Sequence, residues 1–153
     1  MIVYRTSILD LTAEQAWCAL KRRDTFLFIT RGAMSYRGSE SWPEILMSPG
    51  VEIRTVVYPF GFLPGSAHTF KIVSVDEVAR EITTKEHGGL IRTWNHTMKI
   101  EPVSDRCCRY SDRVEIDAGA LTVVVWSIAQ VFYRYRQRRW RILAADLGNQ
   151  VTN

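Results

Sequence analysis

The sequence of 153 residues lacks the features that mark several classes of protein. It has three cysteines, Cys18, Cys107 and Cys108, an odd number without Cys-x-x-Cys spacing, which disfavours a disulfide framework or a zinc knuckle. It has no leading charged segment followed by a long apolar run, and residues 2–9 already have the pattern of a strand. We therefore expect a cytoplasmic protein in a reducing compartment.

Other absences limit the chemistry. The sequence has no Gly-x-Ser-x-Gly elbow and no glycine-rich phosphate loop. It therefore shows neither the nucleophile motif of a serine hydrolase nor a nucleotide-binding motif. The apolar run from Leu121 to Tyr133 is shorter than the about 20 residues that a bilayer-spanning helix needs. We expect no cofactor and no stable insertion into a membrane.

The composition fits a single domain over residues 1–153. With 46% hydrophobic residues, the chain can bury one sizeable core but has no room for a second. Much of the net charge of +4 comes from one run near the C-terminus, which consists of Arg134, Arg136, Arg138, Arg139 and Arg141. Arginines on a helix commonly cover apolar surface while their charge stays solvated. We expect a solvated face and no nucleic-acid partner. Binding to nucleic acid needs exposed aromatic residues interleaved with the charge, and although Tyr133, Tyr135 and Trp140 interleave here, Tyr135 falls on the helix stripe that we expect to be buried.

Local signals predict one strand and then two short helices. Thr12 and Gln15 form a capping-box pattern, which predicts a helix that ends near Lys21. Asp24 is expected to cap a second short helix, and Gly32 to end it. The two helices therefore interrupt the sheet early.

From Met34 onward, strand-like segments alternate with turn residues. Turns are expected at Ser48-Pro49-Gly50, Pro64-Gly65, Asp76-Glu77, Gly88-Gly89 and Ser104-Asp105, which predicts about six antiparallel strands in a meander. A long helix follows, with an apolar stripe at three-four spacing that we expect to be buried against the sheet. The stripe consists of Leu121, Val124, Val125, Ile128, Phe132 and Tyr135.

The last two strands place ionisable side chains on apolar faces. Alternation puts His96 on one face with Trp94, Met98 and Ile100, and puts Asp112 on one face with Cys108, Tyr110, Val114 and Ile116. If Ser104 centres the turn, His96 lies opposite Asp112, close enough for their side chains to interact.

Several short motifs accompany this order of elements. They are Leu63-Pro64-Gly65-Ser66, Val75-Asp76, Glu86-His87-Gly88-Gly89, Trp94-Asn95-His96, Asp112-Arg113-Val114 and residues 135–139 (Tyr-Arg-Gln-Arg-Arg). Together, order and motifs resemble the START/Bet v 1-like (SRPBCC) superfamily, and more narrowly its bacterial polyketide cyclase/dehydrase-like branch, over nearly the entire chain.

The resemblance implies an α+β helix-grip fold, in which a curved antiparallel sheet of about seven strands wraps around a long C-terminal helix. It also implies a deep apolar cavity between sheet and helix, which different members of the superfamily use for lipids, sterols, polyketides or hormones. Because the fold hosts binding proteins and enzymes alike, the resemblance does not choose between them.

We expect this cavity to bind a hydrophobic or amphipathic small molecule that is lipid-, sterol- or polyketide-like. The expected ligand-binding residues are His68, Phe70, Glu86, Trp94, His96, Met98, Tyr110, Asp112, Ile128, Phe132 and Tyr135. His96 and Asp112 would orient the polar end of the ligand. The alternatives are a purely structural pair, or a catalytic pair that moves protons in a cyclase, aromatase or dehydratase. We expect no metal, since the histidines come from separate strands without His-x-x-x-His spacing.

The segment Tyr58–Gly65 concentrates aromatic and apolar side chains where a polar connection is expected. Phe60, Phe62 and Leu63 are interpreted as a lid over the cavity. The alternatives are a homodimer contact, a foot on a membrane, or a loop folded onto its own core. A third hypothesis for the whole chain is accordingly an assembly or membrane-surface module that uses this loop and the arginine-rich helix.

Overall fold

Seven strands form one curved antiparallel sheet in the computed structural model, which describes residues 1–89 and 91–151. The strand order across the sheet is β1-β7-β6-β5-β4-β3-β2, a meander that places the first and last strands side by side. The strands are β1 (Ile2–Leu9), β2 (Met34–Tyr36), β3 (Glu52–Pro59), β4 (Ser66–Asp76), β5 (Glu81–Gly88), β6 (Ile91–Pro102) and β7 (Cys108–Asp117). The helices are α1 (Ala13–Leu20), α2 (Arg23–Thr30) and α3 (Thr122–Val151), with short 3-10 helices at Ser39–Ser41 and Gly119–Leu121. The predicted α+β helix-grip architecture is confirmed.

The first helix begins as its sequence predicts. Thr12 Oγ1 accepts a hydrogen bond from the Gln15 amide, and Gln15 Oε1 accepts one from the Thr12 amide, which satisfies two amides that the helix leaves unpaired.

The predicted cap of the second helix is wrong. Arg22 occupies the cap position without a side-chain hydrogen bond, and Asp24 lies inside the first turn, where its charge still favours the helix N-terminus.

The hairpin between β6 and β7 differs from its predicted register by two residues. Met98 lies opposite Asp112, and His96 lies opposite Val114. The reason is the turn: Cys107 O accepts hydrogen bonds from the amides of Val103 and Ser104, so Ser104 begins the turn instead of centring it. A shift of two residues keeps every side chain on its predicted face. Asp112 is therefore diagonal to His96, within reach of its ring.

The buried face of α3 is not the predicted stripe. Val124 and Ile128 are 56% and 59% exposed, and Leu121 is also exposed, whereas Val125 and Phe132 are partly buried. The fully buried positions are instead Ala129, Tyr133, Arg136, Gln137, Trp140 and Ala144. The helix is thus rotated by about one position, roughly 100°, from the expected orientation. Of the predicted stripe, Val125, Ile128 and Phe132 line a cavity between α3 and the sheet.

The core lies on both sides of that cavity. Side chains from α1, α2, β6 and β7 pack with Trp140 and Ala144 into one cluster, and a smaller cluster joins Val3, Val114 and Tyr133 near the start of α3. Within the described residues, no helix has the combined length and apolarity that a crossing of the bilayer requires.

Candidate functional site

A cavity of about 210 Å³ lies between the inner face of the sheet, α2 and the first half of α3. Its lining is mostly apolar and aromatic: Phe26, Thr30, Met34, Tyr36, Val57, Pro59, Ser66, His68, Phe70, Glu86, Ile91, Trp94, His96, Val125, Ile128, Ala129, Phe132, Tyr133 and Arg136. Because Ile128 belongs to this lining and is largely exposed, the cavity opens to solvent beside α3. A few polar groups in an apolar concavity are typical of a small-molecule site.

A hydrogen-bonded pair from neighbouring strands lies at the polar end of the cavity. His96 Nε2 is 2.7 Å from Asp112 Oδ1, and both residues are buried. Asp112 Oδ1 also accepts a hydrogen bond of 2.6 Å from the hydroxyl of Tyr110, and Oδ2 accepts one of 2.7 Å from Gln137 Nε2 on α3. Asp112 itself does not line the cavity, so it contacts a bound molecule only through His96.

The protonation of Asp112 follows from its neighbours. Burial alone would raise the pKa of this carboxyl, but the positive charge of Arg136 and the hydrogen bonds from His96 and Tyr110 lower the pKa below its usual value. Asp112 is therefore a carboxylate at neutral pH and can only accept hydrogen bonds. Burial raises the pKa of the Tyr110 hydroxyl well above its usual value, so Tyr110 remains a donor.

Arg136 is a buried cation in the wall of the cavity. Its Nη2 donates to the Tyr110 hydroxyl at 3.0 Å and to Met98 Sδ at 3.2 Å, and its Nε lies 3.6 Å from Asp112 Oδ1. Burial would lower the pKa of the guanidinium, but Tyr110, Asp112 and Tyr133 raise it, so Arg136 stays charged. Asp112 and Arg136 thus compensate each other inside the protein, as buried charges require.

A second polar pair lies on β4 and β5, next to the first. His68 Nε2 is 3.2 Å from Glu86 Oε2, and Glu86 Oε1 accepts a hydrogen bond of 2.9 Å from the Thr84 hydroxyl. Glu86 Oε1 is also 3.9 Å from His96 Nδ1, a distance too long for a direct hydrogen bond. The two pairs therefore adjoin without being bonded to each other.

Aromatic rings form another part of the wall. Phe26, Tyr36 and Phe70 line the cavity, and together with Trp42 they contact one another with ring centroids 5.3 to 6.4 Å apart. Such tilted and edge-to-face pairs are individually favourable and give the wall a defined shape. Behind this wall, a void of about 20 Å³ shares Phe70, Glu86 and His96 with the main cavity. It is large enough for about one water molecule.

The structure brings most of the expected ligand-binding residues to one place. His68, Phe70, Glu86, Trp94, His96, Ile128 and Phe132 all line the cavity. Met98, Tyr110 and Asp112 lie beneath its floor and support Arg136 and His96. Tyr135 lies elsewhere, because its hydroxyl donates to the carbonyl of Arg31 at the end of α2. These placements leave the assigned roles as proposals.

Sequence reasoning missed Tyr133, Arg136 and Gln137, the α3 side chains that contact His96 or Asp112. Tyr133 packs edge-on to the His96 ring, with centroids 5.3 Å apart, and its hydroxyl accepts a hydrogen bond of 3.3 Å from Trp94 Nε1. The run of five arginines is expected to be solvated, but only Arg134, Arg138 and Arg141 are exposed, Arg139 is partly buried and Arg136 is buried. Ala129, Tyr133, Arg136 and Trp140 follow the same three-four helical spacing as the predicted stripe. This spacing is the sequence signal that indicates the buried face.

The loop from Phe60 to Gly65 does not fold back onto the core. Phe62 is 79% exposed, and Phe60 and Leu63 are also exposed, which contradicts the alternative of a core loop. The Phe60 and Phe62 rings stack with centroids 6.2 Å apart. Pro59 and Ser66, the residues on either side of this loop, line the cavity, so the loop lies next to it.

Neither cysteine nor metal chemistry is assembled around the cavity. Burial raises the pKa of the Cys108 thiol to about 11, so this thiol is protonated and unreactive at neutral pH. Among residues 1–89 and 91–151, no group of three or more His, Cys, Asp or Glu side chains is positioned to hold a metal ion.

Comparison with solved structures identifies the fold. A START superfamily protein from Mycobacterium smegmatis superposes with a TM-score of 0.72 at 12% identity, covering 95% of this chain and 98% of that one. The Zhui aromatase/cyclase from Streptomyces sp. R1128 gives 0.68 at 9% identity, with coverages of 95% and 93%. Norcoclaurine synthase from Thalictrum flavum, in complex with dopamine and hydroxybenzaldehyde, gives 0.65 at 14% identity, with coverages of 95% and 87%.

These similarities define the class of protein by its fold. The chain has the helix-grip fold of the START/Bet v 1-like (SRPBCC) superfamily, as the order of its elements predicts. Neither a family model nor a curated protein matches the sequence. With identities of 9% to 14%, the fold is what these neighbours share with this chain.

Proposed function

We propose that this protein binds a hydrophobic or amphipathic small molecule in the cavity between the sheet and α3. The observation that carries the proposal is the distribution of polarity around the cavity. Rings and aliphatic side chains form most of the wall, while His68, Glu86, His96 and Arg136 gather on one part of it. The apolar wall would supply affinity, at about 25 cal/mol for each Å² of apolar surface removed from water. The polar groups would decide which ligands fit.

The size of the cavity limits the ligand. An engineered protein cavity of about 150 Å³ accommodates benzene, so the about 210 Å³ available here suits a ligand part somewhat larger than one ring. A longer molecule would extend through the opening beside Ile128, along the exposed apolar side chains of α3. The site therefore favours a molecule with a compact, ring-containing end over a bulky, fully enclosed one.

The test is native mass spectrometry of the freshly purified protein, followed by denaturing extraction of any bound molecule. A one-to-one apolar adduct is expected. It should be lost or exchanged in Trp94→Ala and Phe132→Ala, which shorten two side chains of the cavity wall, and retained in Ile142→Ala, an exposed position on the same helix. An adduct that persists unchanged in both cavity variants would contradict binding at this site.

A second candidate function is an enzyme of the cyclase or dehydratase kind. One observation favours it: His96 is hydrogen-bonded to the buried carboxylate of Asp112. In many enzymes such a carboxylate orients a histidine that acts as the general base. His96 would be the catalytic residue and Asp112 a positioning residue. A bell-shaped pH-rate profile on the extracted ligand, lost in both His96→Ala and Asp112→Ala, would distinguish turnover from binding. Binding without any change in the ligand would exclude it.

A further inference from the structure

The hydrogen bonds around Asp112 determine which nitrogen of His96 carries a proton. Asp112 Oδ1 already accepts from the Tyr110 hydroxyl and can only accept again, so His96 Nε2, 2.7 Å away, is the donor. In the neutral imidazole the other nitrogen, Nδ1, then has a free lone pair. Among the described residues, the hydrogen bond of the His96 ring runs through Nε2 and none runs through Nδ1, and Glu86 Oε1 lies 3.9 Å from Nδ1, too far for a direct hydrogen bond.

The Glu86 oxygen that faces Nδ1 at 3.9 Å is a second acceptor. Glu86 Oε1 accepts from the Thr84 hydroxyl, and Glu86 Oε2 pairs with His68, so the carboxylate is held in place by both neighbours. Two acceptors 3.9 Å apart cannot bond to each other. They leave room for one donor group between them, at ordinary hydrogen-bond distances of about 2.8 Å from each.

The nearby cation does not satisfy these acceptors. Arg136 directs Nη2 to Tyr110 and Met98, and its Nε lies against Asp112. The lone pair of Nδ1 and the carboxylate of Glu86 are therefore left for a molecule that enters the cavity. Leaving a buried acceptor unpaired is costly, so a ligand that pairs with it is selected over an isostere that does not.

We propose that the polar end of the ligand is a hydrogen-bond donor that lies between His96 Nδ1 and Glu86 Oε1. An amine gives one N–H to each acceptor, and a hydroxyl shares its single O–H between them in a three-centre hydrogen bond. This inference rests on the proposed binding function and deepens it, because it names the chemical class of the ligand's polar end. A ring-bearing alcohol, phenol or amine fits the site, and an acceptor-only group such as a carboxylate does not.

The inference is tested with three probes of one shape, measured by equilibrium dialysis with the intact protein. 2-Naphthol carries a donor, 2-methylnaphthalene replaces the hydroxyl by a methyl group of similar size, and 2-naphthoate carries an anionic acceptor. We expect 2-naphthol to bind at least tenfold more tightly than 2-methylnaphthalene, although the methyl compound is the more hydrophobic. 2-Naphthoate should bind most weakly.

A matched pair of variants identifies the acceptor. Glu86→Gln replaces one acceptor oxygen by a donor and should reduce the preference for 2-naphthol severalfold. Glu115→Gln, the same substitution at an exposed position on β7, should leave the preference unchanged. The comparison of probes on the unaltered protein stands even if Glu86→Gln fails to fold.

The remaining outcomes separate this inference from the function on which it rests. Equal or tighter binding of 2-methylnaphthalene would overturn the donor inference, since water would then fill the gap, but would leave cavity binding intact. Tightest binding of 2-naphthoate would overturn it in favour of Arg136 as the polar determinant. If no probe binds, the proposed function itself fails, and the inference fails with it.

Discussion

Between Thr122 and Val131, α3 is apolar and largely exposed, whereas between Arg136 and Ala144 it is rich in arginine and its inner face is fully buried. Val131 is 66% exposed, while Arg136 is only 3% exposed. The difference reflects what each half of the helix faces. The second half packs on β7 and the core around Trp140, where Asp112 and Tyr110 accommodate a charge. In the first half, Val125 and Ile128 line the cavity, whereas Val123, Val124 and Val131 are exposed outside its lining.

This comparison shows that hydrophobicity alone does not decide which face of a helix is buried. Three valines and Ile128 remain exposed in the first half of α3, and Arg136 is buried where the sheet supplies the Asp112 carboxylate and the Tyr110 hydroxyl. Exposed apolar surface next to an opening is itself typical of a surface that meets a hydrophobic molecule.

The largest effect is expected from removing the buried cation. Arg136→Met should lower the free energy of unfolding by about 3–5 kcal/mol, because it leaves the Asp112 carboxylate buried without its charged partner. Arg138→Met, two residues along and exposed, should change it by no more than about 0.5 kcal/mol. Urea unfolding of both variants measures the difference. Equal effects would show that the two arginines do not differ as their burial indicates.

The contribution of Asp112 should depend on pH in one direction. Because its pKa is lowered in the folded state, Asp112 stabilises the protein above the pKa of about 3.9 of an unfolded aspartate, and this stabilisation is lost as the pH falls further. The difference in unfolding free energy between the unaltered protein and Asp112→Asn should therefore be largest near pH 6 and shrink below about pH 4. Denaturant unfolding between these values measures it. A difference that grows toward acid pH would contradict a lowered pKa.

The exposed half of the helix should respond in binding but not in stability. Ile128→Gln alters a cavity residue that is mostly exposed, so we expect unfolding to change by no more than about 0.5 kcal/mol and the affinity for 2-naphthol to fall severalfold. Val123→Gln, exposed on the same helix but outside the cavity lining, serves as the control and should change neither. Thermal unfolding and equilibrium dialysis give the two readouts. Identical affinities for both variants would exclude Ile128 from the binding surface.

The smallest effect on stability is expected from the loop next to the cavity. Replacing Phe60, Phe62 and Leu63 by serine removes only exposed side chains, so the thermal midpoint should stay nearly unchanged. If the loop acts as a lid, ligand uptake measured by stopped-flow fluorescence should change severalfold in rate. An unaltered rate of ligand uptake would contradict the lid interpretation.

The sequence predicts the fold well because its strongest signals are local. The capping box at Thr12, the turns at glycine and proline, and strand alternation each depend on a few neighbouring residues. Alternation also survives the error in the β6–β7 hairpin, since a shift of two residues preserves the face of His96 and of Asp112. The contact between these side chains was therefore predictable, although their register was not.

The candidate site was harder to predict because it depends on what faces each element. Nothing in the spacing of Ile128 shows that it borders a cavity, and nothing in a run of arginines shows that Arg136 alone turns inward to Asp112. Both facts depend on how α3 is rotated about its own axis. That rotation is decided by packing against β1 and β7, which are distant from α3 in sequence or in contact only through the fold. The same is true of Tyr135. Its hydroxyl donates to the carbonyl of Arg31 at the end of α2, a partner that is distant in sequence.

The most direct measurement is a crystal structure of the protein soaked with 2-naphthol. The account predicts the rings in the cavity between Trp94 and Phe132, with the hydroxyl within about 3 Å of both His96 Nδ1 and Glu86 Oε1. Naphthol bound elsewhere on the protein, with the cavity filled only by water, would contradict the proposal that this cavity is the binding site.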